Sequence, residues 1–495
     1  MTVEAQHPEY AKYLPVWKKC RAGCAGSPEI KAGKMDYLPK PNDDARRDPN
    51  STLARQVDAR YRQYIERAIY TNFCGRTVAG LKGAAFRKDP EIDLPAGLEY
   101  LEGNANGEGV GLIQLAKDQC DDVLAVGRTG LLVDYPPVKQ GSTAEQTQGI
   151  EAKICAYQAE SIINWKTTVI DGRVALSLVV LCEEVNKSDD EFDHENQKQY
   201  RVLRLGQEGY SQQVYNEEGE PVSAQMFPTQ QNGSVFDRIP FIFVDSVNND
   251  HRVDFAPMGA MVEVNIGHYR NSADIEENSF IHGQMTFGVT SSLSAEEWNE
   301  QHPEGILVGA RTGYYLGDSG SFHSAQTAPS SLTQTLMKDK EQQLMMLGAQ
   351  LITDKNANQT AKAAQLQHAS EHTVLGDLVG NLSAAFEQCI EWCGMFMGAE
   401  GEITFQINTQ FFDEGMDPQQ VMAAIQMYDR EIIAESDIRQ VARKADFIPE
   451  DRTDDDIEAE LAEDAEDEDL PPLEQGQEQQ KPNVMRLSLV SDADA

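Results

Sequence analysis

Apolar positions recur at three- and four-residue steps through residues 50–83. There Leu53, Val57, Tyr61, Tyr64, Ala68 and Phe73 form one stripe behind Ser51, and the spacing predicts a helix with Ser51 as its N-cap. Residues 107–127 repeat the pattern with Leu112, Ala116, Cys120, Val123 and Leu124, and Gly127 is placed to end that helix. The segment TGLLVDYPP then predicts a strand stopped by Pro136 and Pro137. Upstream, AGCAGSPEIKAGKMDYLPKP (22–41) is rich in glycine and proline and predicts extended and turn structure.

The period changes across 150–245. Val174, Leu176, Leu178, Val180 and Cys182 alternate with other residues after an Asp171-Gly172 turn, which predicts a hairpin. QYRVLRL, SQQVYNEEGEPVSAQMF and IPFIFV continue as short strands, so a β-rich insertion of about 100 residues is expected. Helical spacing returns at Pro257, a residue suited to the first helical position. Met261, Val262, Asn265, Ile266, Tyr269 and Ala273 share one side of a helix about 39 Å long that runs to 282. Strands are expected at QMTFGVTS and GILVGARTGYYLG, followed by a Ser/Ala/Thr loop at 318–331. A long helix from Ser331 is broken by the polar run TDKNANQ (353–359) and resumes to about 398. EITFQINTQF predicts a strand, Asp417-Pro418 a helix start, and IRQVARKADF a last short helix. Runs of strands set between runs of helices indicate an α+β chain.

Charge changes the picture of partners. The 495 residues carry a formal charge of −39, distributed as +7 over 1–90, −32 over 91–449 and −14 over 450–495. Such a body has no basic field to gather nucleic acid by counterion release, which excludes a free-standing DNA- or RNA-binding module. Beyond Pro449 the low-complexity acidic run is expected to stay disordered without a partner. No apolar run reaches the roughly 18 residues a membrane span requires, and no basic-then-apolar leader opens the chain. Eight dispersed cysteines fit free thiols in a reducing compartment.

The sharpest match to a catalytic motif is His368-x-x-Glu371-His372, the H-x-x-E-H pattern that sets two imidazoles one helical turn apart beside a carboxylate. Its flanks, QLQ and TVLGD, fit an ordinary amphipathic helix better. Cys20-x3-Cys24 and Cys389-x3-Cys393 lack the two-residue spacing of structural zinc sites, and the second pair lies among Phe386, Trp392 and Phe396, where core packing is the better account. The glycines of 103–109 precede a helix but lack the phosphate-loop lysine and the dinucleotide fingerprint. No Ser-His-Asp order with a nucleophile elbow occurs. Neither an enzyme, a cofactor nor a metal is expected.

Several segments together carry a resemblance. They are Trp17, Tyr37–Pro39, RAIYTNF (67–73), GLKGAAFRKDP (80–90, with Arg87 and Lys88) and GRTGLLVDYP (127–136, with Gly127, Arg128 and Asp134). ESIINW (160–165, ending in Trp165), YRVL (200–203), RIPFIF (238–243, with Pro240), HYRNSAD (268–274, with Tyr269 and Asp274) and LGAQLI (347–352) follow. In this order, over roughly 15–445, they resemble a bacteriophage portal family formerly catalogued as a domain of unknown function.

The resemblance implies a ring, typically of twelve subunits, at one capsid vertex, with a wing, a helical stem, a β-rich clip and a helical crown. It divides the chain into an N-terminal wing part (1–106), a first stem helix and strand (107–134), the clip (135–253) and a second stem helix (254–282). Wing strands and a long helix (283–352), a tunnel loop (353–360), crown helices (361–449) and the acidic tail (450–495) complete it. The tunnel loop would present Asp354, Lys355, Asn356, Ala357, Asn358 and Gln359. Glu263, Asp274, Glu276 and Glu277 are the candidate channel-lining acids, which would keep a duplex mobile by repelling phosphates. Solvated surface or intersubunit pairing are the alternatives for each acid. Arg46, Arg47, Arg55, Arg60 and Arg62 would meet acidic surfaces of neighbouring subunits or capsid proteins.

Implied partners are double-stranded DNA passing non-specifically, a terminase, head–tail adaptor and tail proteins, the major capsid protein and a scaffold. No membrane partner is implied. The implied location is the virion, with assembly in the host cytoplasm. Two other readings stay open: another acidic structural virion protein, such as an adaptor or internal protein, and a metallopeptidase built on His368, Glu371 and His372.

Overall fold

The structure of the chain is a computed structural model. It describes residues 2–41, 51–135, 150–170, 172–188, 192–193, 195–283, 286–301, 303, 319–325, 331–351 and 373–411, together with Arg439, Asp454 and Ile457. Chain contacts separate Met1–Phe411 from Phe412–Ala495, and the elements below all lie in the first unit. It is an α+β structure.

The N-terminal region is helical where turns were expected. α1 (Pro8–Ala25) and α2 (Ser27–Ala32) are separated only by Gly26, whose φ of +111° suits a residue without a side chain. Gly23 does not break α1; a Cβ there would lie 2.8 Å from Val262 Cγ1, so the glycine permits close packing between helices. The stripe from Leu53 to Phe73 likewise serves two helices. α3 (Thr52–Arg67) starts at Ser51, whose hydroxyl accepts from Ala54 N–H at 3.1 Å. α4 (Phe73–Ala85) starts afresh at Asn72, whose Oδ1 accepts from Gly75 N–H at 2.8 Å while its Nδ2 donates to Cys24 O. A side chain that satisfies local backbone groups in this way favours a helix start over helix continuation.

β1 (Glu91–Asp93) and α5 (Tyr100–Gly103) lead to α6 (Leu112–Val126), which ends at Gly127 in the left-handed conformation, as the sequence indicated. β2 (Arg128–Asp134) follows directly and is flanked on both sides by antiparallel partners, β3 (Lys153–Gln158) and β8 (Phe241–Asp245). Its first six residues are all buried, because α6 and α10 (Val374–Met397) pack against this sheet.

Between β3 and β8 runs an antiparallel meander: β4 (Ile162–Ile170), β5 (Arg173–Asn186), β6 (Asn196–Gly206) and β7 (Gly209–Tyr215). The alternation expected along β5 holds only in part. Val179, Val180 and Leu181 are buried in succession, whereas Val174 is 63% exposed. The inner half of β5 is covered on both faces, and its outer half forms a two-stranded ribbon with β4, since pairing with β6 begins only at Leu178.

α7 (Gly259–Gly283) buries Met261, Val262, Asn265, Ile266, Tyr269 and Ala273, the side the spacing selected. β9 (Thr286–Thr290) pairs with β10 (Ser321–Ala325), which occupies part of the expected 318–331 loop. That strand is fixed by pairing with a segment 31 residues upstream (Thr290 opposite Ser321) and leaves little local signal. α8 (Ala295–Gln301) lies between them, and α9 (Ser331–Gln350) packs on α7.

α10, capped by the Thr373 hydroxyl, buries Leu375, Leu378, Leu382, Phe386, Cys389 and Phe396. It is apolar on more than one side because the sheet, α6 and β11 (Thr404–Gln406) surround it. β11 pairs with β1.

The expected strand at 305–317, the tunnel loop from Asp354 to Gln359, the His368–His372 motif and, apart from Arg439, the helices from 417 onward lie outside the described residues, as does all but Asp454 and Ile457 of the acidic tail. No described helix is long and apolar enough to cross a membrane.

Candidate functional site

The four acids singled out on α7 fall on a stretch that faces α1 and α3. Glu263 accepts from Lys19 Nζ at 2.5 Å, and both side chains remain well exposed. Asp274 accepts from the Tyr64 hydroxyl at 2.7 Å; burial, reinforced by that carboxylate, pushes the phenol upward. Glu277 is 9% exposed and takes hydrogen bonds from Arg60 (2.9 and 3.1 Å) and Arg67. Burial alone would raise its carboxyl, but the two arginines outweigh it and hold the group below the usual range. Glu276 is half-buried and makes no side-chain hydrogen bond among the described residues. Arg67 also lies 4.1 Å from the Phe280 ring, and Gln56, Ala59, Arg60, Phe280 and Ile281 line a shallow groove around this cluster.

On its other side α7 meets α9 through polar contacts. Lys340 Nζ donates to Gly267 O and Asn271 Oδ1, both at 3.0 Å, while His268 Nε2 lies 3.3 Å from Glu341 Oε1. Burial, with a smaller contribution from Arg270, lowers the Lys340 ammonium. α7 is thus the axis on which three other helices are fastened by charge.

A second constellation forms where Gly127 ends α6 and Arg128 begins β2. Arg128 is fully buried and binds Asp245 through two parallel contacts, at 2.7 and 2.8 Å. It also donates to Asp250 O and Arg252 O, and its guanidinium lies 4.0 Å from the Phe243 ring and 5.1 Å from the Trp165 ring. Burial pushes the Asp245 carboxyl upward and Arg128 opposes it. Trp165 in turn stacks on His7, with ring centroids 4.0 Å apart.

At the far end of β2, Asp134 accepts from Arg201 at 3.2 Å and from Gln212 at 3.1 Å. Arg201 also binds Glu183 at 2.7 Å, which accepts from Tyr157 and Gln199 at the same distance. The structure therefore brings Gly127, Arg128 and Trp165 together, with Asp134 and Pro240 along the same sheet; Pro240 O accepts from Val133 N–H.

Trp17 belongs elsewhere, buried beside Tyr10 and Tyr13 on α1. Tyr269 lies edge-on to Tyr70, which donates to Gly23 O. Arg87 and Lys88 are exposed just after α4. Sequence reasoning missed Asp245, Arg201, Glu183 and His7. An arginine inside the apolar run GRTGLLV does announce a buried acceptor, but not which of 81 acids supplies it.

Cys20, Cys74, Cys120, Cys389 and Cys393 are buried free thiols, and burial raises each of them. Among the described residues no group of three or more potential ligands is placed to hold a metal. What the two constellations supply is mechanical: fixed register at the sheet and charged fastening between helices.

No curated protein matches the chain significantly. Solved structures similar to it include the neck of an empty gene transfer agent particle computed with C6 symmetry and the virion of a native gene transfer agent particle. Each is 13% identical over 83% of this chain and 98% of the other, with a TM-score of 0.40. The neck of the native particle computed with C12 symmetry is 13% identical over 74% and 89%, with a TM-score of 0.39. Likenesses of this size lie below what establishes a common fold. Residues 257–397, from the start of α7 to the end of α10, match the family model DUF4055, described as a domain of unknown function.

Proposed function

We propose that this chain is the portal subunit of a tailed-phage-like particle, a ring at one capsid vertex through which double-stranded DNA is packaged and ejected. The observation that carries the reading is the succession of α6, a β insertion and α7, with β2 and β8 paired antiparallel where the insertion leaves and rejoins the helical body. We read α6 and α7 as two stem helices and the insertion between them as a clip. The segments resembling the portal family from Trp17 to Leu351 support it by their order along the chain.

The work of such a protein is physical. A duplex must slide in both directions, and a strongly acidic wall offers phosphates no sticky site. Glu263, Asp274 and Glu276 are the proposed acids of that wall, with Glu263 and Asp274 the most exposed of them, whereas Glu277, expected there from the sequence, is buried and taken up by Arg60 and Arg67. The loop from Asp354 to Gln359 is proposed to approach the DNA. Terminase would dock during packaging, and adaptor and tail proteins afterwards; the major capsid protein and a scaffold would surround the ring during assembly. No catalytic step is required of the chain.

The test is native mass measurement with electron microscopy of the purified full chain. A subunit of 54.9 kDa predicts a ring of about 660 kDa with an axial channel for twelve copies. A protein that stays monomeric under assembly conditions and gives no ring views would overturn the reading.

A further inference from the structure

The residues ahead of α1 lie along β4, one of the two edge strands of the four-stranded sheet. A register shift between Ile162 and Asn164 leaves Ile163 without a β5 partner, and its carbonyl accepts from His7 N–H at 2.9 Å. Asn164 Nδ2 donates to Ala5 O at 2.7 Å. The His7 ring stacks on Trp165, 4.0 Å between centroids and 18° between planes. Its Nδ1 also accepts from Glu9 N–H at 3.2 Å and so caps α1. His7 therefore joins three things: through its backbone the strap to the edge strand, and through its ring Trp165 of that strand to the start of α1.

We propose that His7 is a proton-operated latch, and that protonating it frees the strap of residues 2–7 from β4 and opens the sheet edge at Ile163–Trp165. The chemistry follows from the ring. A neutral imidazole with its proton on Nε2 offers Nδ1 as an acceptor, whereas the imidazolium carries N–H on both nitrogens and loses the Glu9 cap. The groups facing it are Glu9 of α1, Arg128 of β2 and His251 of the loop after β8; β4 itself presents the uncharged Trp165.

Burial holds the imidazole below its ordinary 6.5, Glu9 opposes that, and Arg128 and His251 add to it. The closed strap thus binds its proton less readily than the open one. Its stability is complete above pH 6.5 and falls as the pH drops through the lowered value.

Hydrogen–deuterium exchange of the full chain between pH 7.5 and 5, corrected for intrinsic exchange, reads the latch directly. Amides of residues 5–7, of Glu9 and of 163–165 are expected to be protected at pH 7.5 and to lose that protection progressively toward pH 5. His7→Asn keeps a capping acceptor but does not titrate, and should hold the protected level across the range. A flat wild-type profile overturns the proposal, as does a His7→Asn profile that slopes like the wild type or is unprotected throughout. His251→Gln should shift the midpoint upward and leave the switch intact; loss of the switch in that variant alone would move the sensor to His251 and overturn the assignment.

Discussion

Arg128 and Asp245 stand directly opposite each other on β2 and β8, 117 residues apart in sequence, and close a two-point ion pair with both side chains essentially sealed from solvent. Removing two charges from water is costly, so such a pair contributes little net stability over well-packed apolar residues. Its stronger effect is on register. Slipping β8 by one residue would set Arg128 opposite Val244 and leave both charges buried without partners. The donations to Asp250 O and Arg252 O extend that fixing to the loop entering α7.

The first prediction separates those two contributions. Arg128→Met strands the Asp245 carboxylate and should lower unfolding stability by roughly 3–5 kcal/mol. Asp245→Leu should cost a similar amount. The double variant should recover most of the loss, because no lone charge remains. Urea denaturation of the four proteins measures the coupling; a double variant no more stable than either single one would disprove the pairing account.

Gly127 offers a second test. Its φ is +86°, and a Cβ would lie 2.3 Å from Phe255 O, a backbone atom with no freedom to withdraw. Gly172 has a similar φ of +75° but open space around it. Gly172→Ala should therefore cost only the left-handed penalty, roughly 1–2 kcal/mol. Gly127→Ala should cost clearly more, since it adds a clash between β2 and the loop preceding α7. Equal losses in thermal melts would mean that the close approach carries no energy.

What was legible beforehand follows the range of the forces involved. α7 and α6 were readable because an amphipathic helix displays its buried side in every turn, and Gly127 announced its own left-handed cap. The stripe from Leu53 to Phe73 concealed two helices, because a single polar side chain, Asn72, decides the break by bonding Gly75 N–H and Cys24 O. Gly23 looked like a breaker, yet it is a contact with Val262 from a helix more than two hundred residues away. The sequence singled out the α7 acids as channel lining and Arg60 as meeting neighbouring subunits or capsid proteins; that Lys19, Tyr64, Arg60 and Arg67 of the same chain bind three of those acids was not legible, since ion pairing across helices leaves no periodic trace. β10 was missed for the same reason, its partner strand being remote.

Thiol chemistry tests the packing of α10. Cys389 and Cys393 are wholly buried, and burial holds both thiols protonated far above neutral pH. Burial also pushes Cys20 up to about 11 and Cys120 up to about 12. Because the thiolate is the reacting species, a maleimide at pH 7.5 should leave all four unmodified in the native protein. Cys182, half-buried on β5, should label first. Peptide mapping after timed labelling checks the order, and rapid native modification of Cys389 or Cys393 would contradict the packing.

Glu277 makes the fastening of α3 to α7 dependent on pH. Its carboxyl is held below the usual 4.5, burial notwithstanding, by hydrogen bonds from Arg67 and Arg60. A carboxylate with a depressed folded value contributes stability that is complete above its unfolded value and disappears as the pH falls through the folded one. The clamp is therefore intact at neutral pH and is lost only below about pH 4.5. Arg60 remains half-exposed, so solvent screening limits the contribution to about 1 kcal/mol. Glu277→Gln should lower the melting temperature by a constant amount from pH 8 to 5, and the gap to the wild type should close as the pH drops further. A gap that persists unchanged at pH 3 would show that Glu277 acts through packing rather than charge.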